Sequence, residues 1–229
     1  PEREAFVAGL RRDQAIFDIS LLGGDTVKTP GPASFSATLL GWAPSGAAVS
    51  RAGARPGDLV FVTGTIGDGW LGLQAAQATL SLEPERMDAL EAAYRTPMPR
   101  VEFAPVVLGL ATASADVSDG LLADAAHIAE ASGVSLEIDL ERLPMSAAAQ
   151  AWFEGRVDPQ AALALLASGG DDYEILLTVP AGAENALRRE AERRHLRLTC
   201  VGRVAEGRGL SPRYLGQVIT PTRTGWTHG

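Results

Sequence analysis

Four times along this chain a carboxylate stands beside glycine at or near the end of a strand-like run. The motifs are GGDT at 23–26, GTIGDG at 64–69, DVSDG at 116–120 and GGDDYE at 169–174. Glycine permits a tight turn there and lets a ligand approach the backbone. A carboxylate in that position repels bare phosphate, but it can hold Mg²⁺, which bridges to phosphate oxygens. A single Asp-Gly turn is ordinary loop chemistry. Four in one chain, three of them after apolar strands, constrain the fold to one whose strand ends carry acids, and they suggest a metal-assisted polyanion site.

DVSDG holds the most detail. Asp116 and Asp119 lie three apart across a strand-to-helix junction, with Ser118 between them. Free N–H groups and the helix dipole favour anions at such a junction, so it offers a metal-binding side and a phosphate-binding side. The plainer reading is that Ser118 or Asp119 caps the helix.

The surrounding pattern alternates helix and strand. The first twenty residues read as an amphipathic helix with Phe6, Leu10 and Ile16 near one face. FDISLLGG and Ser34–Trp42 read as strands, and DLVFVTG reads as a buried strand. Helices follow over GDGWLGLQAAQATL, SLEPERMDALEAAYR and FAPVVLGLAT. ADVSDGLLADAAHIAEASG runs from strand into helix, and VSLEIDL is a strand. The stretch up to Ser168 carries no clear period. GGDDYEILLTV is a loop entering a strand, AENALRREAERRH a charged helix, LRLTCVGRV a strand, and the tail irregular or extended. The class is α/β or α+β. A Gly-, Pro-, Ala- and Ser-rich loop from Pro44 to Asp58 is the best candidate for a domain seam.

Composition removes several functions. The 229 residues suit one or two domains, and 46% of them are apolar. Twenty basic against 28 acidic residues leave a net charge of −8, the wrong sign for a nucleic-acid partner. No apolar run spans a bilayer and no signal peptide opens the chain, so a cytoplasmic protein without a membrane partner is expected. Cys200, the one cysteine, excludes an internal disulfide and reads as a strand thiol. Lys28 is the only lysine and lies outside any P-loop or kinase context, and no G-x-S-x-G elbow exists. Gly67, Gly69 and Gly72 satisfy G-x-G-x-x-G, but a helix with Pro97 and Pro99 beyond it follows where a dinucleotide fold needs a parallel strand. His127, His195 and His228 show no ligand spacing. Arg51 is a phosphate-contact candidate or a solvated loop residue, and Trp226 can stack on a flat ring or simply pack.

Taken in order, LLGGDT, SRAGARPGDLVFVTGTIGD, RTPMPR, ADVSDGLLADAAHIAEASG, SGGDDYEILLTV, CVGRV and GWTHG resemble the thiamine-monophosphate kinase family, over essentially the whole chain. The resemblance implies the aminoimidazole-ribonucleotide-synthetase-like fold. Residues 1–47 would be the C-terminal part of an N-terminal ATP-binding and dimerisation domain, and residues 48–229 a C-terminal α/β domain. It implies transfer of the γ-phosphoryl group of ATP to thiamine monophosphate, with several Mg²⁺ ions, in a homodimer. Gly24, Asp25, Arg51 and Ser118 match ATP contacts, and Asp25, Asp116 and Asp119 match metal ligands. Asp171 and Trp226 match substrate contacts. Asp171 stands where the family usually has Glu, one methylene longer. Val27 and Lys28 follow GGDT where Thr or Arg-type residues are usual, and the ending is His228-Gly229 rather than His-Phe. The family's leading Gly-Asp-Asp and Asp-Leu-Ala-Ala-Met-Gly segments, which add Mg²⁺ ligands, are not in this sequence, so a fragment is expected. No general base is assigned, because the attacking phosphate is already ionised. The rival readings are another enzyme of the same superfamily, a catalytically incomplete nucleotide-binding fragment, or a dinucleotide-dependent oxidoreductase.

Overall fold

The structure is a computed structural model that describes residues 2–226; His228 and Gly229 lie outside the described residues. The chain forms two compact units, dividing between Pro44 and Ser45.

The first unit opens with helix α1 (Glu2–Phe17). Phe6 meets Phe35 with ring centroids 5.0 Å apart. The Gln14 side chain accepts the Leu21 N–H at 3.0 Å. The expected strands at FDISLLGG and Ser34–Trp42 do not form: residues 18–44 hold no helix or strand. A strand needs a neighbour to take its backbone hydrogen bonds, and no ladder in the described residues includes this segment. Leu22, Leu39, Leu40 and Trp42 are all exposed.

The second unit is built on a seven-stranded sheet ordered β2-β4-β1-β5-β3-β6-β7. Its strands are β1 (Asp58–Thr63), β2 (Ala113–Asp116), β3 (Ser135–Asp139), β4 (Ile175–Pro180), β5 (Leu198–Ala205), β6 (Gly209–Tyr214) and β7 (Gln217–Val218). All pairings are antiparallel except β3 with β6. The helices are α2 (Asp68–Ala76), α3 (Pro84–Arg95), α4 (Ala104–Leu110), α5 (Leu121–Ser132), α6 (Ala147–Glu154), α7 (Pro159–Ser168) and α8 (Glu184–Arg193).

The two-residue period of a strand sorts the core into two layers. Val60, Val62 and Leu176 pack on one face with residues of α2, α3, α5, α6 and α7. Phe61, Leu177 and Val179 pack on the other with α4 and α8. A central strand covered on both faces is apolar along its middle, which is why residues 59–62, LVFV, carry no polar side chain.

Two helices, α6 and α7, occupy the stretch that carries no clear sequence period. Each starts on a side-chain cap: Ser146 Oγ accepts from Ala149 N, and Asp158 accepts from Ala161 N with Pro159 at the first helical position. Strand β6 lies between LRLTCVGRV and the tail, in a stretch to which the sequence assigns no element. It is an outer strand next to the short β7 and contains Pro212, a residue that lowers strand propensity. Among the described residues no helix is long and apolar enough to cross a membrane.

Candidate active site

β4 runs antiparallel to both β1 and β2, so its first residues meet the last residues of the other two. This topology gathers three of the four acidic glycine turns at one edge of the sheet: GTIGDG after β1, DVSDG after β2 and GGDDYE before β4. The fourth, with Gly24 and Asp25, belongs to the first unit. There Asp25 is exposed, and its carboxylate accepts the Thr26 N–H at 2.7 Å.

The three turns are hydrogen-bonded to one another. Asp171 N donates to Ser118 O at 2.9 Å, Tyr173 N to Val117 O at 2.8 Å, and Val117 N to Glu174 O at 2.8 Å. The Asp172 carboxylate accepts from Gly67 N and Gly69 N, at 2.9–3.0 Å. Glycine is required where the turns meet. A Cβ on Gly170 would lie 2.4 Å from Ser118 O, and one on Gly69 2.4 Å from Asp171 O. Asp171 and Tyr173 sit at φ 68° and 50°, left-handed conformations that cost energy in non-glycine residues and are held by these bonds.

Beneath the turns, Glu174 is buried. It accepts from Thr63 Oγ1 at 2.6 Å and from Arg100 Nε at 2.9 Å, with Arg100 Nη2 on its other oxygen. The carboxylate raises the Arg100 pKa further above its already high value. The pair floors a cavity of about 620 Å³ at the β2–β4 edge, whose lining includes Val49, Pro99, Val107, Asp116 and Tyr173.

Gly120, not Ser118 or Asp119, is the N-cap of α5, and it makes no side-chain cap. Asp124 instead reaches back from the first turn of α5. Its Oδ2 accepts from Ser118 N at 3.0 Å and Asp119 N at 3.2 Å. The Ser118 and Asp119 N–H groups are therefore already taken by a carboxylate, while the Ser118 hydroxyl is not part of that pairing. Asp172 fills the glycine turn of α2 in the same way, which also removes the dinucleotide reading of Gly67, Gly69 and Gly72.

These inward-turned acids are electrostatically costly. Burial pushes the Asp172 carboxyl well above the usual range despite the Gly67 and Gly69 N–H groups. Burial also raises Asp124, and the charges of Asp116 and Asp119 add to it. Burial and the Asp171 carboxylate raise the Tyr173 hydroxyl, which donates to Asp171 at 3.1 Å.

The tail docks on the same junction. Trp226 N donates to Asp119 O at 2.9 Å, and Ser168 Oγ donates to Arg223 O at 2.8 Å. The Trp226 side chain stays exposed. Among the residues singled out from sequence, Asp116, Ser118, Asp119, Asp171 and Trp226 thus share one neighbourhood. Arg51 is exposed in the loop before β1, where its carbonyl accepts from Ser132 Oγ at 3.0 Å. Sequence reasoning passed over Arg100, Glu174, Asp172 and Asp124, and set His127 aside for want of ligand spacing. Glu174 and Asp172 were visible only as members of an acidic run, with nothing to say which acid turns inward.

Asp116 is exposed at a strand end and Asp119 is half-buried. Oxygen-only ligands of this kind suit Mg²⁺, and the crowding of like charges around Asp124 is what a bound cation would relieve.

Comparison with known proteins accords with this geometry. Residues 55–214 match the family of AIR synthase related proteins, C-terminal domain. A thiamine-monophosphate kinase of Caulobacter vibrioides is 50% identical over 99% of this chain and 64% of its own length. One from Salmonella typhimurium is 37% identical over 100% of this chain and 69% of its own length. A solved structure described as AaThiL complexed with AMPPCP and TMP superposes with a TM-score of 0.62 at 35% identity, over 77% of this chain and 53% of that one. The chain spans roughly half to two thirds of the length of the relatives it matches. On this evidence the chain belongs to the thiamine-monophosphate kinase family, with an AIR synthase related C-terminal domain at residues 55–214.

Proposed function

We propose that this chain takes part in the ATP- and Mg²⁺-dependent phosphorylation of thiamine monophosphate to thiamine diphosphate. One observation carries the reading. Backbone hydrogen bonds tie Asp171 to Ser118 and Trp226 to Asp119, joining the proposed substrate contacts to the proposed nucleotide and metal turn. Family membership supports it, as does the neighbouring structure with AMPPCP, a non-hydrolysable ATP analogue, and TMP.

In this reading Asp116 and Asp119 would hold Mg²⁺, and the resemblance adds Asp25 to the metal ligands. Bound Mg²⁺ supplies charge neutralisation on the phosphate oxygens. Gly24, Asp25, Arg51 and Ser118 contact ATP, with the Arg51 guanidinium suited to a phosphate fork. Trp226 offers an exposed ring face to the flat thiamine moiety, and Asp171 a carboxylate to its cation. A phosphate oxygen of thiamine monophosphate attacks the γ-phosphorus. The new P–O bond forms as the bond to the β–γ bridging oxygen breaks, and ADP leaves with the electron pair. No proton has to be removed from the nucleophile, so the residues orient and neutralise rather than act as a base. The resemblance extends the proposal to a cytoplasmic homodimer. In it residues 1–47 continue an N-terminal ATP-binding and dimerisation domain, and residues 48–229 form the C-terminal domain.

Calorimetric titration of thiamine monophosphate into the chain, with AMPPCP and Mg²⁺ present, tests this. Saturable binding is expected, weakened up to about tenfold in Trp226→Ala, the worth of one ring stack. Absence of binding to the unaltered chain overturns the proposal.

A further inference from the structure

We propose that Asp119, Asp124 and His127 form a site for a divalent transition metal of the Zn²⁺ or Co²⁺ type. The site shares Asp119 with the proposed Mg²⁺ ligands but adds an imidazole, a ligand that suits zinc and cobalt and that Mg²⁺ does not favour.

Two independent observations meet here. The first is placement. Ligand atoms of Asp119, Asp124 and His127 all lie within 4.8 Å of one another. Asp124 and His127 are three apart on α5, which puts them on one helix face, and Asp119 comes from the turn that leads into that helix. Three such ligands would leave a tetrahedral ion one position open for water.

The second is an unanswered buried atom. Asp124 is fully buried, with 0% of its surface exposed. Its Oδ2 is held by two backbone N–H groups, while Oδ1 has no hydrogen-bond partner among the described residues. A buried carboxylate oxygen without a partner is among the costlier features a fold can carry. A cation beside it answers that cost. The two N–H bonds on Oδ2 fix the carboxylate's orientation, as an outer-shell partner does for a metal ligand. His127 is exposed on the outer side of the triad, so a metal has a path in.

Titration of the metal-free chain with Co²⁺, with neither nucleotide nor thiamine monophosphate present, tests the site apart from the kinase reading. The expected result is one Co²⁺ per chain, seen by its ligand-field absorption, displaced by Zn²⁺ and resistant to excess Mg²⁺. His127→Ala should weaken binding by roughly 100-fold, at least as much as loss of an outer-shell partner, with no change in melting temperature because its side chain is exposed. Asp124→Asn should also lose the absorption, whereas Asp116→Asn should keep it. The proposal is overturned if the unaltered chain binds no Co²⁺, if His127→Ala binds it equally well, or if Asp116→Asn abolishes binding.

Discussion

At the floor of the cavity, Glu174 gathers Thr63 and the fork of Arg100, while the Arg100 side chain stays about one-third exposed (31%). Removing one member of a fully buried pair costs about 3–5 kcal/mol, because the other charge is left unpaired. The partial exposure of Arg100 lowers that, so Arg100→Ala should destabilise by about 2–3 kcal/mol in urea unfolding. Asp172 gives a second prediction, with the opposite sign from most carboxylates. Its folded pKa lies well above its unfolded value because of burial. Its contribution to stability is therefore complete below about pH 4 and drains away as pH rises from there through the folded pKa. Asp172→Asn keeps an oxygen for Gly67 and Gly69 N–H but carries no charge. Unfolding measured across a pH series should show the unaltered chain losing stability relative to Asp172→Asn above pH 4.

Among the elements, α2 and α3 pack with little clearance. A Cβ on Gly72 would lie 2.2 Å from Leu90 O and 2.6 Å from the Tyr94 side chain. The first contact is backbone and cannot yield by rotation. Gly72→Ala should push the helices apart and lower stability by about 2–3 kcal/mol, read as a lower denaturation midpoint. Most elements of the second unit were legible because their periods are strong: DLVFVT, VSLEIDL and AENALRREAERRH each form where the pattern puts them. α6 and α7 were not, since they are short, rich in alanine, and apolar on too many sides to show a stripe. FDISLLGG and Ser34–Trp42 read as strands, but an apolar run only makes a strand possible, and pairing decides it. At the site, Asp116, Ser118, Asp119, Asp171 and Trp226 were legible from motif order. The inward turn of Asp172, Glu174 and Asp124 was not, because adjacent acids look alike until the backbone says which faces the core.

For the molecule as a whole, a net charge of −8 is an obstacle to bringing two polyanions together, and carboxylates concentrated at one sheet edge make it worse unless cations are recruited there. The fold makes that concentration unavoidable: β1 and β2 end, and β4 begins, at the same edge. The account therefore stands or falls on whether that edge performs metal-dependent phosphoryl transfer. Chromatographic detection of thiamine diphosphate, formed from thiamine monophosphate, ATP and Mg²⁺, tests this most directly, with Asp116→Asn alongside. The account predicts product from the unaltered chain that vanishes with Asp116→Asn or with removal of Mg²⁺. No product from the unaltered chain, or product undiminished by Asp116→Asn, would contradict it.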